Sequence, residues 1–361
     1  MNLLFITRRV DRSHPLAGFA WEWVREFSRQ LSEGGGRLTV ITLESSASEG
    51  LTEEVIIRSV RKTEKNRFKD FFTFCRLLKS LVPQSDAIFV HKHPVYAVIA
   101  APFAKLFRKK IYLWYVHKQV DAKLRLATAL CNGIFTASKE GFRLKTKRPI
   151  SIVGHGIDTA LFCPADQRGD LRRSTQIEVG QKFIILSIGR ISPVKGYAVL
   201  IDAVQSAVQQ CNNLTVRIVG RPGLKEHAGY ENELKKSVHE KGLDQVIRFI
   251  GPVAHHDIVV EYRNANVFIN LSGTGSLDKA VLEAMACGVP VITSNEAFQG
   301  LLSQIDNNLF VACTPRAVAM AMLRIINMPP EARRQIGGAL RAIVVRDHDL
   351  KQLVARILSR L

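Results

Sequence analysis

The chain has 361 residues, 47% of them apolar, and a formal net charge of +19 at pH 7. This length suffices for two domains with separate cores, and a mean hydropathy of +0.04 disfavours both a disordered chain and a membrane bundle. The positive charge predicts an anionic partner, which could be a sugar nucleotide, a phospholipid surface or nucleic acid. Because the sequence contains no long lysine run of the kind found in nucleic-acid-binding tails, we do not expect nucleic acid.

Features that depend on cellular location favour the cytoplasm. The six cysteines lie far apart and form no C-x-x-C pair, which is typical of reduced thiols. The opening residues MNLLFITRR are too short and too soon charged for a signal peptide. The longest apolar run, 95–104, contains Pro102 and falls well short of the roughly 20 residues that cross a bilayer. We expect a cytoplasmic protein, and any contact that it makes with the inner face of a membrane would be peripheral.

In the first half of the chain, strand and helix patterns alternate, which predicts a parallel α/β sheet. A helix is predicted at 17–31, and strands are predicted at 2–7, 37–43, 55–60, 86–91, 110–116 and 133–136. The loop after the first strand contains Arg8, Arg12 and Gly18, and such loops form ligand sites in doubly wound sheets. Two interpretations of these arginines stay open, namely contact with an anionic acceptor and ordinary solvated loop charge.

The segment 67–81, RFKDFFTFCRLLKSL, is basic and aromatic on a helical pattern. The pattern favours a helix with Phe71, Phe74 and Leu78 in the core and the lysines in solvent. A helix lying on an anionic membrane surface or a lipid acceptor is the alternative interpretation.

A polar segment at 165–181 is the predicted linker, after which a second α/β pattern begins. Its first strand, 183–189, is followed by Arg190 and Lys195. A forked guanidinium and a lysine point charge that converge on one place would neutralise a pyrophosphate. The competing interpretation is a basic loop on a basic protein, which is sufficient for either residue alone.

The stretch 270–294 is predicted to contain a strand end, a glycine-rich turn, a short helix and a buried strand. Gly273 and Gly275 would leave amide groups uncrowded before the helix, a geometry that receives phosphate. Asp278 would lie in the first helical turn and Glu283 on the face opposite Met285. For a lone glutamate, solvation on a helix surface would be the better interpretation.

Two motifs resemble a known family. The run LDKAVLEAMACGVPVI at 277–292 and the G-R-x-x-x-x-K-G spacing at 189–196 resemble retaining GT-B glycosyltransferases of family 4, the glycosyl transferases group 1. The resemblance implies an α/β GT-B fold with two Rossmann-like, doubly wound domains facing an interdomain cleft. It implies an acceptor-side domain at 1–165, a nucleotide-sugar-binding domain at 166–346 and a final helix at 347–361 that crosses back to the first domain.

The resemblance also implies roles for individual residues. Glu283 would hold the ribose hydroxyls, since hydrogen bonds to a charged acceptor are strong. His117, in YVHKQVDAKLR, would lie beside the transferred sugar. It would be a catalytic residue together with Arg190 and Lys195. The family usually has another glutamate where this chain has Gly275, so the motif does not specify the donor sugar. Gly18 would match the acceptor-side glycine. The remaining donor-binding predictions are Gly275, Ser276, Leu277, Asp278, Lys279, Gly189, Gly220, Ile250 and Val253.

The implied reaction is a metal-independent, retaining sugar transfer from a UDP- or GDP-sugar to a saccharide or lipid-linked glycan acceptor, as in the synthesis of cell-envelope polysaccharides. No cofactor is expected beyond the donor itself, and no residues stand at the spacing of a zinc site or a P-loop. Two other functions remain open: a sugar-nucleotide 2-epimerase, and a non-catalytic sugar-nucleotide-binding subunit, which Gly275 makes plausible.

Overall fold

The computed structural model describes residues 1–12, 18–44, 50–51, 55–61, 66–165, 182–223 and 227–361. The predicted linker at 165–181 lies outside these ranges except for Ala165. The chain divides into two compact units. Unit 1 comprises Met1–Asp158, Ala254–His256 and His348–Leu361, and unit 2 comprises Thr159–Val253 and Asp257–Asp347.

Unit 1 contains a seven-stranded parallel sheet in the order β3-β2-β1-β4-β5-β6-β7. Its strands are β1 (Asn2–Thr7), β2 (Arg37–Thr42), β3 (Ile56–Ser59), β4 (Ala87–His91), β5 (Lys110–Trp114), β6 (Gly133–Thr136) and β7 (Ile150–Ile152). Its helices are α1 (Gly18–Glu33), α2 (Arg67–Leu81), α3 (Pro94–Leu106), α4 (Ala122–Leu130) and, from the end of the chain, α12 (Leu350–Leu358).

Helices cover both faces of this sheet, which explains why its central strands are apolar on both sides. On one face, α1 and α12 pack against β1 through residues such as Trp23, Phe27 and Leu353. On the other face, α2, α3 and α4 share one core, to which Phe74 and Leu78 belong. Across the described ranges, no helix is long and apolar enough to cross a bilayer.

Unit 2 repeats the plan with five parallel strands in the order β10-β9-β8-β11-β12. These are β8 (Phe183–Ile188), β9 (Leu214–Val219), β10 (Ile247–Gly251), β11 (Val267–Asn270) and β12 (Val291–Thr293). The helices are α5 (Tyr197–Val208), α6 (Ala228–Glu240), α7 (Val259–Asn264), α8 (Lys279–Ala286), α9 (Gln299–Leu302), α10 (Pro315–Asn327) and α11 (Pro330–Asp347).

Two sheets of this strand order, each built from alternating strands and helices, confirm the predicted α/β class with Rossmann-like units. The six cysteines are free thiols, as expected for reduced residues. One prediction about the core of unit 1 is wrong. Phe74 and Leu78 of α2 are buried, but Phe71 is 47% exposed. The side of the helix that faces the core therefore contains Phe74 and Leu78 but not Phe71.

Candidate functional site

Lys195 and Asp278 form an ion pair in unit 2, and both side chains are largely shielded from solvent. Lys195 follows β8 and Asp278 follows β11, and these strands are neighbours in the sheet. Because both are parallel strands, their carboxyl ends meet at the same edge, where doubly wound folds bind ligands. The pair therefore joins two loops at the expected ligand-binding edge of the second sheet.

A glycine fixes the position of Lys195. Gly196 follows it with φ of 68°, a left-handed conformation that favours glycine. A Cβ atom at Gly196 would lie 2.7 Å from the Cβ atom of Leu271, directly after β11. Only the absence of a side chain at this position lets the lysine loop approach the end of β11 so closely.

Asp278 lies at the N-cap of α8 and not within the first turn, so its predicted position is corrected by one residue. Its side chain makes no capping hydrogen bond to the helix. Instead, the carboxylate accepts from Lys195 and from Asn270 Nδ2, the latter at 3.2 Å. The carboxylate of Asp278 therefore binds Lys195 and Asn270 and does not cap α8.

Arg190 is exposed directly after β8 and Gly189. Its aliphatic stem lies against Gly223, where a Cβ atom would stand 2.6 Å from Arg190 Cδ. Within the part of the chain that the structure describes, the guanidinium has no hydrogen-bond or ion-pair partner. Arg190 and Lys195 thus lie on one loop. Lys195 is paired with a carboxylate, whereas among the described residues Arg190 is not.

Three glycines line the ends of β8, β9 and β10. The N–H of Gly189 donates to Val219 O at 3.0 Å, and that of Gly220 donates to Gly251 O at 2.9 Å. A Cβ atom at Gly220 would lie 1.9 Å from Gly189 O, so the backbones touch directly. The predicted base-lining residues Ile250 and Val253, at and just after the end of β10, are half-buried.

Glu283 is only 4% exposed, so the interpretation as a solvated helix residue is wrong. Helix α8 is buried on more than one side, and Met285 is fully buried as well. Glu283 Oε2 accepts from the hydroxyl of Tyr262 in α7 at 2.8 Å, and its Oε1 lies 3.7 Å from Lys279 Nζ. Burial, followed by the neighbouring Glu283, raises the pKa of Tyr262 well above its usual value, so its hydroxyl is protonated and donates near neutral pH.

The turn that precedes α8 has a defined backbone conformation and a hydrogen bond to a side chain outside the turn. Gly275 adopts φ of 62°, and the carbonyl of Ser276 accepts from Asn295 Nδ2 at 2.9 Å. Leu277, a predicted donor-binding residue, is buried at 8% exposure and lies before the first residue of α8. The glycine-rich turn therefore has a defined shape between Asn270 and α8.

The predicted acceptor-side residues lie in unit 1. Arg8 is paired with Glu44 at 2.9 Å, and Arg12 stacks over Trp21 with its Cζ atom 5.1 Å from the ring centre. Gly18 begins α1, and a Cβ atom there would lie 2.6 Å from the Cβ atom of His255. The glycine is therefore required for packing within unit 1, and the arginines are engaged within the unit.

His117 is exposed after β5, which ends at Trp114 and not at Val116 as predicted. Its ring contacts that of Tyr115 edge-on, with 5.5 Å between ring centroids. The role of His117 toward the transferred sugar stays a prediction. Within unit 1, His117 acts electrostatically on His93, a residue that the sequence reasoning missed although it follows β4 in the run HKHP.

Burial, followed by the charges of Lys92, Arg8 and His117, lowers the pKa of His93 to about 4. His93 is therefore neutral near pH 7. These side chains follow β1, β4 and β5, which are consecutive in the sheet, so they collect at one edge of unit 1.

Two functional candidates in unit 2 were also missed. Asn270 is the last residue of β11, and its position in the run ANVFIN could have identified it. Tyr262 could not be found in this way, because its hydroxyl reaches Glu283 from another helix. In the described ranges, no three His, Cys, Asp or Glu side chains are grouped so as to hold a metal ion; metal independence stays a prediction.

Comparison with known proteins gives a family match for residues 169–341, to the model described as glycosyl transferases group 1. D-inositol 3-phosphate glycosyltransferase of Frankia alni is 27% identical over 201 residues, which cover 53% of this chain and 48% of that protein. The lipopolysaccharide core biosynthesis mannosyltransferase LpsB of Rhizobium meliloti is 30% identical over 147 residues, or 41% of each chain. The chain thus spans less than half the length of these relatives.

Solved structures resemble the chain over almost its whole length. A glycosyltransferase from Rickettsia africae gives a TM-score of 0.76 at 17% identity, covering 99% of this chain and 97% of that one. Anabaena HepE in complex with UDP and glucose gives 0.74 at 18% identity, covering 99% and 98%. Residues 169–341 therefore carry the similarity to glycosyl transferases group 1, within a fold that the whole chain shares with GT-B glycosyltransferase structures.

Proposed function

We propose that this protein is a retaining, metal-independent glycosyltransferase that moves a sugar from a UDP- or GDP-sugar to a saccharide or lipid-linked glycan acceptor. The observation that carries the proposal is the meeting of Lys195, Asp278 and Asn270 at the ends of β8 and β11, with Arg190 on the same loop. The family match covers all of these residues.

In the proposal, the donor diphosphate lies against Arg190 and Lys195. A lysine ammonium has three N–H donors, so Lys195 can keep Asp278 with one and give another to a phosphate oxygen. Arg190 can offer two parallel N–H groups to the phosphates. Negative charge grows on the diphosphate as the sugar bond breaks. These cations therefore stabilise the transition state more than the ground state.

The proposed nucleoside contact uses Glu283. Tyr262 occupies one carboxylate oxygen, and the ribose hydroxyls would donate to the other, beside Lys279. As the resemblance to retaining GT-B glycosyltransferases implies, the acceptor would attack the same face of the sugar that the diphosphate leaves, and the diphosphate oxygen would take the proton of the acceptor. This step uses one bond broken, one bond formed and one proton transferred.

A second candidate function is a non-catalytic sugar-nucleotide-binding subunit. Gly275 favours it, because the resembled family has at that position a carboxylate that holds the transferred sugar. The two functions differ in turnover and not in nucleotide binding.

A donor panel tests the proposal. UDP-, GDP- and related sugars are first screened for binding by calorimetry, and bound donors are then assayed for transfer to saccharide and lipid-linked acceptors. We expect micromolar to millimolar donor binding and measurable transfer. Binding without transfer or donor hydrolysis would favour the non-catalytic subunit, and no binding of any nucleotide would refute both.

The charged residues give a sharper form of the test. Arg190→Ala and Lys195→Ala should each lower kcat by about 10²- to 10³-fold, because each removes a group that faces the developing charge. Arg316→Ala is the matched control, since Arg316 is an exposed arginine of α10 in the same unit. Thermal unfolding should be near that of the wild type in all three variants. Wild-type rates in both site variants would contradict the assigned roles.

A further inference from the structure

The outer surface of α2 carries aromatic side chains in solvent. Phe68 is 80% exposed, Phe72 is 68% exposed and Phe71 is 47% exposed. The opposite side of the helix, with Phe74 and Leu78, is buried in unit 1. Exposed aromatic residues scattered singly are common, but three within one helical turn and a half are a contact surface that the fold of unit 1 leaves uncovered.

The neighbouring helices extend this surface. Helix α3 lies between α2 and α4, and all three share one core on the same face of the sheet. At the end of α3, Leu106 is 71% exposed, and on α4, Leu126 and Leu130 are 50% and 42% exposed. Each helix thus turns its buried side to the sheet and presents large apolar side chains outward. We call this surface the α2–α4 face.

The charges on the same helices are almost all positive. Their single acidic residue is Asp70, and it is paired with Arg61 at 2.6 Å. Exposed lysines and arginines stand between the apolar side chains. They are Arg67, Lys69, Arg76, Lys79, Lys105, Lys123 and Arg125.

We propose that the α2–α4 face binds the surface of an anionic lipid bilayer, with Phe68, Phe72 and Leu106 in the interfacial region and the basic side chains on the headgroups. The charge of this face is complementary to anionic lipid, and each basic residue near such a surface adds attraction. Exposed phenylalanines gain by leaving water for the acyl boundary. This inference goes beyond the proposed reaction and does not depend on it.

Other occupants fit the face less well. A second copy of this chain would bring the same positive face against itself, and the basic side chains would repel each other. A nucleic acid would use the charge but would leave the phenylalanines and leucines without apolar partners. A bilayer satisfies both kinds of side chain at once.

Sedimentation with vesicles tests the proposal on the intact chain. Vesicles of phosphatidylcholine with about 30% phosphatidylglycerol should retain at least about tenfold more protein than pure phosphatidylcholine vesicles at ~0.1 M salt. Raising the salt to about 0.5 M should weaken this binding severalfold, because the Debye length shortens. Equal binding to both vesicles would overturn the proposed charge recognition.

Two double variants distinguish binding through the α2–α4 face from non-specific adsorption of the protein to vesicles. Phe68→Ser with Phe72→Ser should lower the fraction bound to anionic vesicles by about tenfold or more, because the apolar anchor is removed. Val260→Ser with Met320→Ser is the matched control, since these side chains are 55% and 63% exposed in unit 2. Equal loss in both double variants, or no loss in the first, would contradict the proposal.

Insertion can be observed directly with Phe72→Trp. The three native tryptophans are buried, so the new indole is the exposed one. Its emission should shift to shorter wavelength on anionic vesicles and should be quenched by brominated lipid. If the emission does not change while the Phe68→Ser, Phe72→Ser variant alters the sedimentation mass of the protein without vesicles, the face is an interface between copies and not a membrane surface.

Discussion

Tyr262 donates its hydroxyl hydrogen to Glu283 at 2.8 Å, and both residues are buried in unit 2. The two side chains come from α7 and α8, so the hydrogen bond joins helices that lie on either side of β11 in the sequence. Because burial raises the pKa of Tyr262 well above its usual value, the tyrosine is protonated near neutral pH and can hold the carboxylate in one orientation.

We expect Tyr262→Phe to weaken the binding of a nucleoside diphosphate by about fivefold to tenfold, because a carboxylate that has lost a donor is less well oriented for ribose. The phenyl ring keeps its contacts with the rings of Phe162 and Phe268, at 5.9 and 5.7 Å between centroids. Loss of the hydrogen bond should lower the free energy of unfolding by about 1–3 kcal/mol. Calorimetry measures the first effect and urea unfolding the second.

Tyr112→Phe is the control for this change. Tyr112 is buried in unit 1, whereas the proposed nucleotide-binding residues belong to unit 2. It should leave nucleotide affinity unchanged. If Tyr262→Phe lowers stability but not affinity, the tyrosine supports α8 structurally and does not position Glu283 for a ligand.

A second prediction concerns the charge beside Lys195. Asp278→Asn should tighten the binding of a nucleoside diphosphate by about threefold to tenfold, because removing one negative charge close to the diphosphate lowers repulsion. The asparagine oxygen can still accept from Lys195, so the lysine stays in place. The measurement is calorimetry with UDP and GDP at ~0.1 M salt.

Asp244→Asn is the matched control, since this acid is half exposed in unit 2 and pairs with the exposed His239 at 3.3 Å. Weaker binding in Asp278→Asn would show that the acid contributes mainly by fixing Lys195. An identical gain in nucleotide affinity in both variants would show that the effect comes from the net charge of the protein alone.

Much of the fold could be predicted from the sequence, because its strands are continuous apolar runs. The run NLLFIT gave β1 with its observed bounds, and GIFT gave β6. The strand ending near Val116 was predicted two residues too long, since buried residues after Trp114 leave the sheet while staying in the core. Strand ends depend on pairing, which local composition does not encode.

The site was predicted less completely. Arg190 and Lys195 stood out because two basic residues follow one apolar strand. That Asp278 pairs with Lys195 depends on β8 and β11 being neighbours, which is a property of the sheet order. The burial of Glu283 likewise depends on Tyr262, on another helix. With four phenylalanines between 68 and 74, periodicity alone could not tell which side of α2 faces the core.

The third prediction uses the backbone of the glycine-rich turn. Gly275 has φ of 62°, whereas Gly273, two residues earlier, has no positive φ and has open space where a Cβ atom would lie. Gly275→Ala should therefore lower the free energy of unfolding by about 1 kcal/mol through backbone strain. Gly273→Ala should be nearly neutral. Equal effects in urea unfolding would show that the turn relaxes and that the φ of residue 275 is not constrained.

The last prediction concerns acid stability. The pKa of His93 is lowered to about 4 from 6.5, chiefly by burial. The unfolded chain binds a proton at this residue below about pH 6.5 while the folded chain does not, so stability is lost as the pH falls toward 4. His93→Asn should make this loss smaller by on the order of 2 kcal/mol between pH 7 and pH 4. His239→Asn, at a side chain that is 81% exposed, should leave the pH profile of Tm unchanged. A profile for His93→Asn that runs parallel to that of the wild type would mean that His93 takes up its proton in the folded protein as readily as in water.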